Sequence, residues 1–388
     1  MTLTKIQTAV LNAYLDGWLL YDFRGINPLA LQLIGIGTKK FLSRRWFLYV
    51  PASGQPTLIH HRIEAGTWRT LLPENVIRIA YSSHQELDAA LKGVLNGAKR
   101  IAMEYSPCGA VPYVSRVDAG TLERVRETGV EVVSSADVLQ DWLVWDAADE
   151  AAHDQAVHGV IRAKDAAFAL IDSRLKAETP ISELEVQNLI LACFAEDGLV
   201  ADHAPNVSFG GHAGDPHYEI TPESNRILEL GQCVLIDLWA GIPDRPMADV
   251  TFIGFAGQPT KEYQNLWQTL KVSRDAALEL LQTPPVGLQG WMVDKVARDI
   301  IEAAGHGAAF THRLGHSLGR NTAHGDGANL DNLETHDTRL LVPRTAVTVE
   351  PGLYFSHLGL RTEVNVLLLE HGARVTTPIQ DEPYILGV

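Results

Sequence analysis

Four acidic residues sit where β-type sequence is expected to be apolar: Asp237 in VLIDLWA, Asp249 in MADVTFIGF, Glu350 in AVTVEPGLY and Glu363 in GLRTEVNVLLL. Their β-branched and aromatic neighbours favour strands that bury a face, and a carboxylate carried on such a face loses its hydration. Asp237 and Asp249 flank the turn-forming GIPDRP, with Pro243 at the midpoint between them. A hairpin turned there sets the two side chains directly opposite, with Cβ atoms about 5 Å apart. Bare carboxylates that close repel each other and destabilise the fold unless a cation compensates. A single strand-end Asp commonly does no more than satisfy a turn, but Glu350 and Glu363 repeat the situation in a second strand-rich stretch. Two divalent ions would neutralise the four charges and leave a centre able to hold and deprotonate a water.

An imidazole for the same centre is available in FTHRLGHSLGRNTAHG, where His316 is flanked by Gly315 and Gly319, which permit tight backbone turns. His312 lies four residues before it and His324 eight after, and eight of the 15 histidines fall between positions 203 and 336. Oxygen ligands in excess with one imidazole describe a hard, open site suited to Mn²⁺, Co²⁺ or Zn²⁺, unlike a closed structural zinc site built from thiolates.

The chain around this cluster has 388 residues, enough for two domains. Residues 1–148 read as an α/β domain, with short apolar runs alternating with amphipathic patterns such as SHQELDAALKGVL and a hairpin turned at Ser53-Gly54. Nothing in that half concentrates chemistry: His60 and His61 are adjacent and face opposite sides of a strand. Residues 149–388 form the second domain, with a capping box at Ser182 and Glu185 opening one helix and Gly305 closing another. Its elements suggest a duplicated helix–helix–two-strand unit whose halves face each other across a carboxylate-lined seam. The formal charge of −15 argues against nucleic acid and anionic membranes as partners. Three widely spaced cysteines, and an N-terminus without a basic and then apolar leader, fit a reducing cytoplasm.

VLIDLWAG, MADVTF, THRLGHSLG, VTVEPGLY and LRTEVNVLL resemble, in this order, the signature segments of the pita-bread dinuclear metallopeptidases, in the Xaa-Pro dipeptidase (prolidase) and aminopeptidase P branch. The resemblance implies an N-terminal α/β domain followed by an α+β pita-bread catalytic domain. It implies metal ligation by Asp237, Asp249, His316, Glu350 and Glu363, with Asp249 and Glu363 bridging two divalent ions, and a hydroxide between the ions attacking the scissile carbonyl. Glu350 would also take up the water proton, His217 and His324 would hydrogen-bond the substrate and the developing oxyanion, and His312 and Arg361 would serve the substrate side. The substrate implied is a small peptide with proline second, preferably a dipeptide, with longer Xaa-Pro-Xaa peptides as the alternative, and the assembly implied is a homodimer.

Three features depart from that pattern. His324 stands eight residues after His316, where the family has seven. Arg313 replaces a glycine common in prolidases, and His336 occupies the position of an arginine that anchors the substrate carboxylate, with Arg339 and Arg344 only nearby. Other readings compete. GHSLG (315–319) is a literal GxSxG with Ser317 as nucleophile, but the flanking sequence has neither the strand nor the helix that such an elbow requires. The same fold also serves metal-free peptide binders and amidinohydrolases, relatives that typically lack the full ligand set.

Overall fold

The computed structural model describes residues 3–36 and 42–388 and divides into two compact units, Met1–Leu143 and Val144–Val388. In the first unit, β1 (Gly17–Asp22), β2 (Trp46–Pro51), β3 (Thr57–His61), β4 (Ile77–Tyr81), β5 (Arg100–Met103) and β6 (Glu131–Ser134) form one sheet in the order β4-β3-β2-β1-β5-β6. Helices α1 (Leu3–Asn12), α2 (Pro28–Leu33), α3 (Ala65–Leu71), α4 (His84–Val94), α5 (Ala119–Arg126) and α6 (Ala136–Leu143) accompany it. β2 and β3 pair antiparallel through a turn in which Gly54 adopts a φ of 101°, a conformation that glycine reaches without a steric penalty. His60 is buried and His61 half-exposed, so the two do share no site.

The second unit opens on α7 (Ala147–Lys176) and α8 (Glu183–Glu196). Asp146 with Asp149, and Ser182 with Glu185, close capping boxes at their N-termini. Next come β7 (Asn206–Phe209), β8 (Cys233–Ala240) and β9 (Ala248–Ala256), then α9 (Lys261–Gln282) and α10 (Gly290–Ala303). Gly305 follows α10 at φ 84°, and the N–H groups of Gly305 and His306 reach back to the carbonyls of Glu302 and Ile301, closing the helix as a Schellman motif. The remaining strands are β10 (Ala346–Val349), β11 (Gly352–Tyr354), β12 (Gly359–Arg361), β13 (Val364–Leu368), β14 (Ala373–Val375) and β15 (Tyr384–Leu386). They complete three sheets, β15-β9-β8-β7, β10-β13-β14 and β11-β12. Two helices followed by antiparallel strands thus occur twice along the chain, although β11 and β12 interrupt the second strand pair. Among the described residues, no helix is long and apolar enough to cross a membrane.

Strand alternation explains where the acids go. On β8 and β9 the even-numbered Val234, Ile236, Leu238, Ala248, Val250 and Phe252 pack under α7 and α8. The odd-numbered Cys233, Leu235, Ile253 and Phe255 join the core built on α9 and α10. Asp237, Trp239, Asp249 and Thr251 continue this odd face past the apolar core, so the chemistry lies at the end of a packed surface. The expected pairing of the two aspartates needs correction: Asp237 opposes Thr251, and Asp249 opposes Trp239. The hairpin is centred on Asp244, which takes a left-handed φ of 61°, rather than on Pro243. A shift of two partners keeps both carboxylates on one face but sets them diagonally.

Candidate metal centre

Glu350 and Glu363 lie one residue beyond the last β10–β13 pair, Val349↔Val364, where the ladder parts. The Glu363 N–H donates to the Thr251 carbonyl on β9 at 3.2 Å, and the Glu350 N–H to the Leu314 carbonyl at 2.7 Å. Each glutamate is therefore fixed by a backbone bond to a neighbouring segment, one to the strand that carries Asp249 and the other to the segment that carries His316. That segment is extended: the Thr348 N–H donates to the His316 carbonyl and the Leu318 N–H to the Ala346 carbonyl, both at 2.9 Å. Gly315 and Gly319 serve close backbone approach here rather than a turn beside a ligand. A Cβ at Gly315 would come within 2.0 Å of the Thr348 oxygen, and one at Gly319 within 2.2 Å of the Thr322 oxygen.

Ligand atoms of Asp249, His316 and Glu363 lie within 4.8 Å of one another, all three residues being buried. His316 Nε2 stands 3.4 Å from Asp249 Oδ2 and 3.5 Å from Glu350 Oε1. Its Nδ1 faces the Ser317 carbonyl at 3.0 Å, which assigns the ring proton to Nδ1 and turns the Nε2 lone pair toward the carboxylates. A lone pair aimed at anionic oxygens is repulsive unless a cation lies between them, and ligands bonded at about 2.1 Å around one ion are themselves about 3.0–3.4 Å apart. Thr251 Oγ1 donates to Glu363 Oε2 at 2.8 Å and Thr348 Oγ1 to Glu350 Oε1 at 3.0 Å, holding both carboxylates in place. Asp237 is joined to the Arg361 guanidinium, which also donates to Thr251 Oγ1 at 2.9 Å.

Burial is the main force on all four acids. It pushes Asp237 up to about 6, with Asp249 adding repulsion, and Asp249 up to about 7. It raises Glu350, and it drives Glu363 well above the usual range, helped by repulsion from Asp249, Glu350 and Asp237. Arg361 offsets one of the four charges. The donor set of hard carboxylate oxygens and one oriented imidazole fits divalent cations, and the three charges left unrelieved are what two such ions sharing a hydroxide would balance.

The remaining expected site residues surround this cluster. His324 packs its ring 4.1 Å from that of His316, centroid to centroid, despite the extra residue before it. Between the two histidines, Arg320 donates to Asp149 and Asn321 to Asp244. His316 and burial together depress protonation of His324, and His217, exposed on the loop after β7, contributes to that field. His312 Nε2 meets the Tyr354 hydroxyl at 2.8 Å, and Arg361 donates to the same hydroxyl at 3.3 Å. Arg361 is thus buried behind the acids rather than offered to a substrate. Ser317 lies in the extended segment paired with β10, so the strand-turn-helix elbow of a serine hydrolase is not formed.

The sequence reading missed Thr251, Tyr354 and the placement of Trp239. Thr251 was findable, since it stands two residues after Asp249 on the same strand face. Trp239 is half-buried opposite Asp249, with its indole N–H on Asp202 at 2.6 Å. Tyr354 carries no periodic signal, because its partners His312 and Arg361 come from other segments of the chain.

Solved structures with this fold span nearly the whole chain. The dipeptidase PepE from Mycobacterium ulcerans matches with a TM-score of 0.74 and 23% identity over 99% of this chain and 96% of that one. The X-Pro aminopeptidase from Thermotoga maritima gives 0.66 and 19% over 99% of both chains. The prolidase from Thermococcus sibiricus gives 0.66 and 20% over 99% and 98%. These likenesses establish the fold, an N-terminal α/β domain and a pita-bread catalytic domain. An uncharacterized peptidase of Staphylococcus epidermidis is 35% identical over 172 residues, 44% of this chain and 46% of that protein. One from Staphylococcus aureus is 33% identical over 199 residues, 51% and 53%. The chain thus spans about half the length of the curated relatives it matches. Residues 149–370, which include all four acids, His316 and every histidine set around them, match the model of metallopeptidase family M24, and the chain belongs to that family.

Proposed function

We propose that the chain is a metal-dependent Xaa-Pro dipeptidase. The observation that carries this reading is the convergence of Asp249, His316 and Glu363 in one buried cluster, with Glu350 3.5 Å from His316 and Asp237 joined to it through Arg361. Two divalent ions held by these five residues, whether Mn²⁺, Co²⁺ or Zn²⁺, would supply Lewis-acid polarisation of the scissile carbonyl and an acidified water. The protein's own groups do the rest. Glu350, already raised by burial and steadied by Thr348, is the carboxylate that accepts a proton and passes it to the leaving proline nitrogen. His324, packed on His316, and His217, whose field reaches His324, act as donors to the peptide oxygens, with His324 kept neutral by its neighbours. His312 is half-buried and pushed down to about 3, chiefly by desolvation, so it meets the substrate as a neutral ring fixed by Tyr354. The M24 membership and the prolidase and X-Pro aminopeptidase folds support proline at the second position.

A second reading, an aminopeptidase P acting on Xaa-Pro-Xaa peptides, is favoured by His336, which stands exposed against Trp291 where a carboxylate-anchoring arginine is otherwise expected. Substrate length decides between them. The Mn²⁺-loaded protein is expected to hydrolyse Ala-Pro with a kcat/KM well above that for Ala-Pro-Ala, and to lose activity in EDTA. Equal or faster cleavage of the tripeptide selects the second reading.

A further inference from the structure

An Xaa-Pro dipeptide carries two side chains, and they lie on opposite sides of the scissile bond. The proline nitrogen must face Glu350, whose N–H is bonded to the Leu314 carbonyl in the segment that carries His316. The side chain of the first residue therefore leaves toward the other edge of the cluster, where β8 and β9 carry Asp237 and Asp249. On the seam face of these strands Leu235 and Ile253 run into the core and the two aspartates follow, so Trp239 stands at the open end.

Trp239 has an acid on each side. Asp249 is its partner on β9. Across its other edge, Val200 and Gly241 exchange both backbone hydrogen bonds at 2.9 Å, and continuing that antiparallel register by two residues brings Asp202 opposite Trp239. The indole N–H accordingly donates to Asp202 Oδ1 at 2.6 Å, which fixes the half-buried ring between a metal ligand and a second carboxylate. Asp202 Oδ2 faces Nδ1 of His203 at 3.3 Å, but that imidazole is 77% exposed, so water screens the pair, whereas the Asp202 side chain is 21% exposed. The charge of Asp202 is felt inside the cluster, where it opposes ionisation of Asp249. Asp202 is thus an acid outside the ligand set, two strand spacings or roughly 10 Å from Asp249, on the far side of an aromatic ring. A long apolar stem that ends in a cation matches this arrangement, because the stem can lie on the indole while the charge is attracted by both the ring face and the carboxylate.

Building on the Xaa-Pro reading above, we propose that Trp239 and Asp202 form the subsite for the side chain of the first residue and select a cationic one, lysine or arginine. A neutral stem of the same length gains the ring contact alone, and an acidic side chain is repelled by Asp202.

The test measures kcat/KM for Lys-Pro, norleucyl-proline and Glu-Pro on the full-length, Mn²⁺-loaded protein and its Asp202→Asn variant, with metal content measured in each. Norleucine keeps most of the lysine stem without the charge, and Asn keeps an acceptor for the indole N–H. The wild type is expected to prefer Lys-Pro over norleucyl-proline by about 10- to 100-fold, mainly through KM, and to cleave Glu-Pro least well. Asp202→Asn is expected to bring Lys-Pro to within about 3-fold of norleucyl-proline at wild-type metal content. Raising the salt from about 20 to about 500 mM should narrow the wild-type preference as well, a reading that does not depend on how the variant folds. Equal wild-type rates on Lys-Pro and norleucyl-proline overturn the inference and leave the Xaa-Pro reading standing, as does a preference that survives Asp202→Asn or does not narrow with salt. A wild type that cleaves no Xaa-Pro dipeptide removes that reading and the subsite with it.

Discussion

Both units bury acids, and they deal with them in opposite ways. In the first, Glu104 follows β5 with no exposed surface, and its carboxyl accepts the Trp18 indole N–H and, at 2.7 Å, the Asn27 side-chain amide. Burial pushes it up to about 7, against the pull of those two donors. A lone buried acid is tolerable in this way, because neutral donors and protonation together remove its charge. In the second unit four carboxylates meet, and Arg361 offsets one. Protonating all of them would be the alternative to a cation, but His316 directs a lone pair into the same space, which a proton-sharing cluster would not need. A buried carboxylate therefore points to structure when neutral donors surround it, and to a metal when it faces other carboxylates and an oriented imidazole.

The largest effect that tests this contrast comes from the cluster. Asp249→Asn or Glu363→Gln is expected to lower turnover by more than about 10³-fold and to reduce bound metal, since each removes a charge that the ions balance. Elemental analysis alongside the peptidase assay checks both, and normal turnover in either variant breaks the account.

Glu104 supplies the counter-test. Its folded value lies above its unfolded value of 4.5, so between about 4.5 and 7 the native state holds a proton that the unfolded chain releases. The group's contribution is therefore present in full below pH 4.5 and is lost as pH rises through 7, an expected decrease of about 3 kcal/mol. Urea unfolding of the metal-loaded protein, followed by tryptophan fluorescence, should show this slope in the wild type and its loss in Glu104→Gln, whatever that variant's absolute stability. A smaller effect is expected of His217→Ala, which should retain full metal content while kcat/KM falls about 10- to 100-fold if, as proposed, the residue addresses the substrate and not the ions. Loss of metal in that variant would blur the distinction between ligand and substrate residues.

How much of this was legible in the sequence follows from what each signal encodes. The helices of the second unit were readable because caps are local chemistry: Ser182 with Glu185, and Gly305 after α10, act within one turn of chain. The acids were readable because a carboxylate in β-branched sequence violates burial wherever the strand goes. Their exact partners were not, since register depends on the turn. Asp244 in a left-handed conformation moved the β8–β9 pairing by two residues, and only the even parity of that shift left both aspartates on the seam. The bonds from Glu350 to Leu314 and from Glu363 to Thr251 are long-range, and no periodicity announces them. Glu104 has no signal of its own in RIAMEYS, because its partners Trp18 and Asn27 lie some 80 residues earlier in the chain.

The central claim is that the four acids and His316 tolerate one another by sharing divalent ions. Anomalous diffraction at the manganese edge, from crystals grown with Mn²⁺, tests it most directly. The expected result is two anomalous peaks enclosed by Asp237, Asp249, His316, Glu350 and Glu363. A map with no peak among those side chains, or with manganese bound only at surface carboxylates, would contradict it.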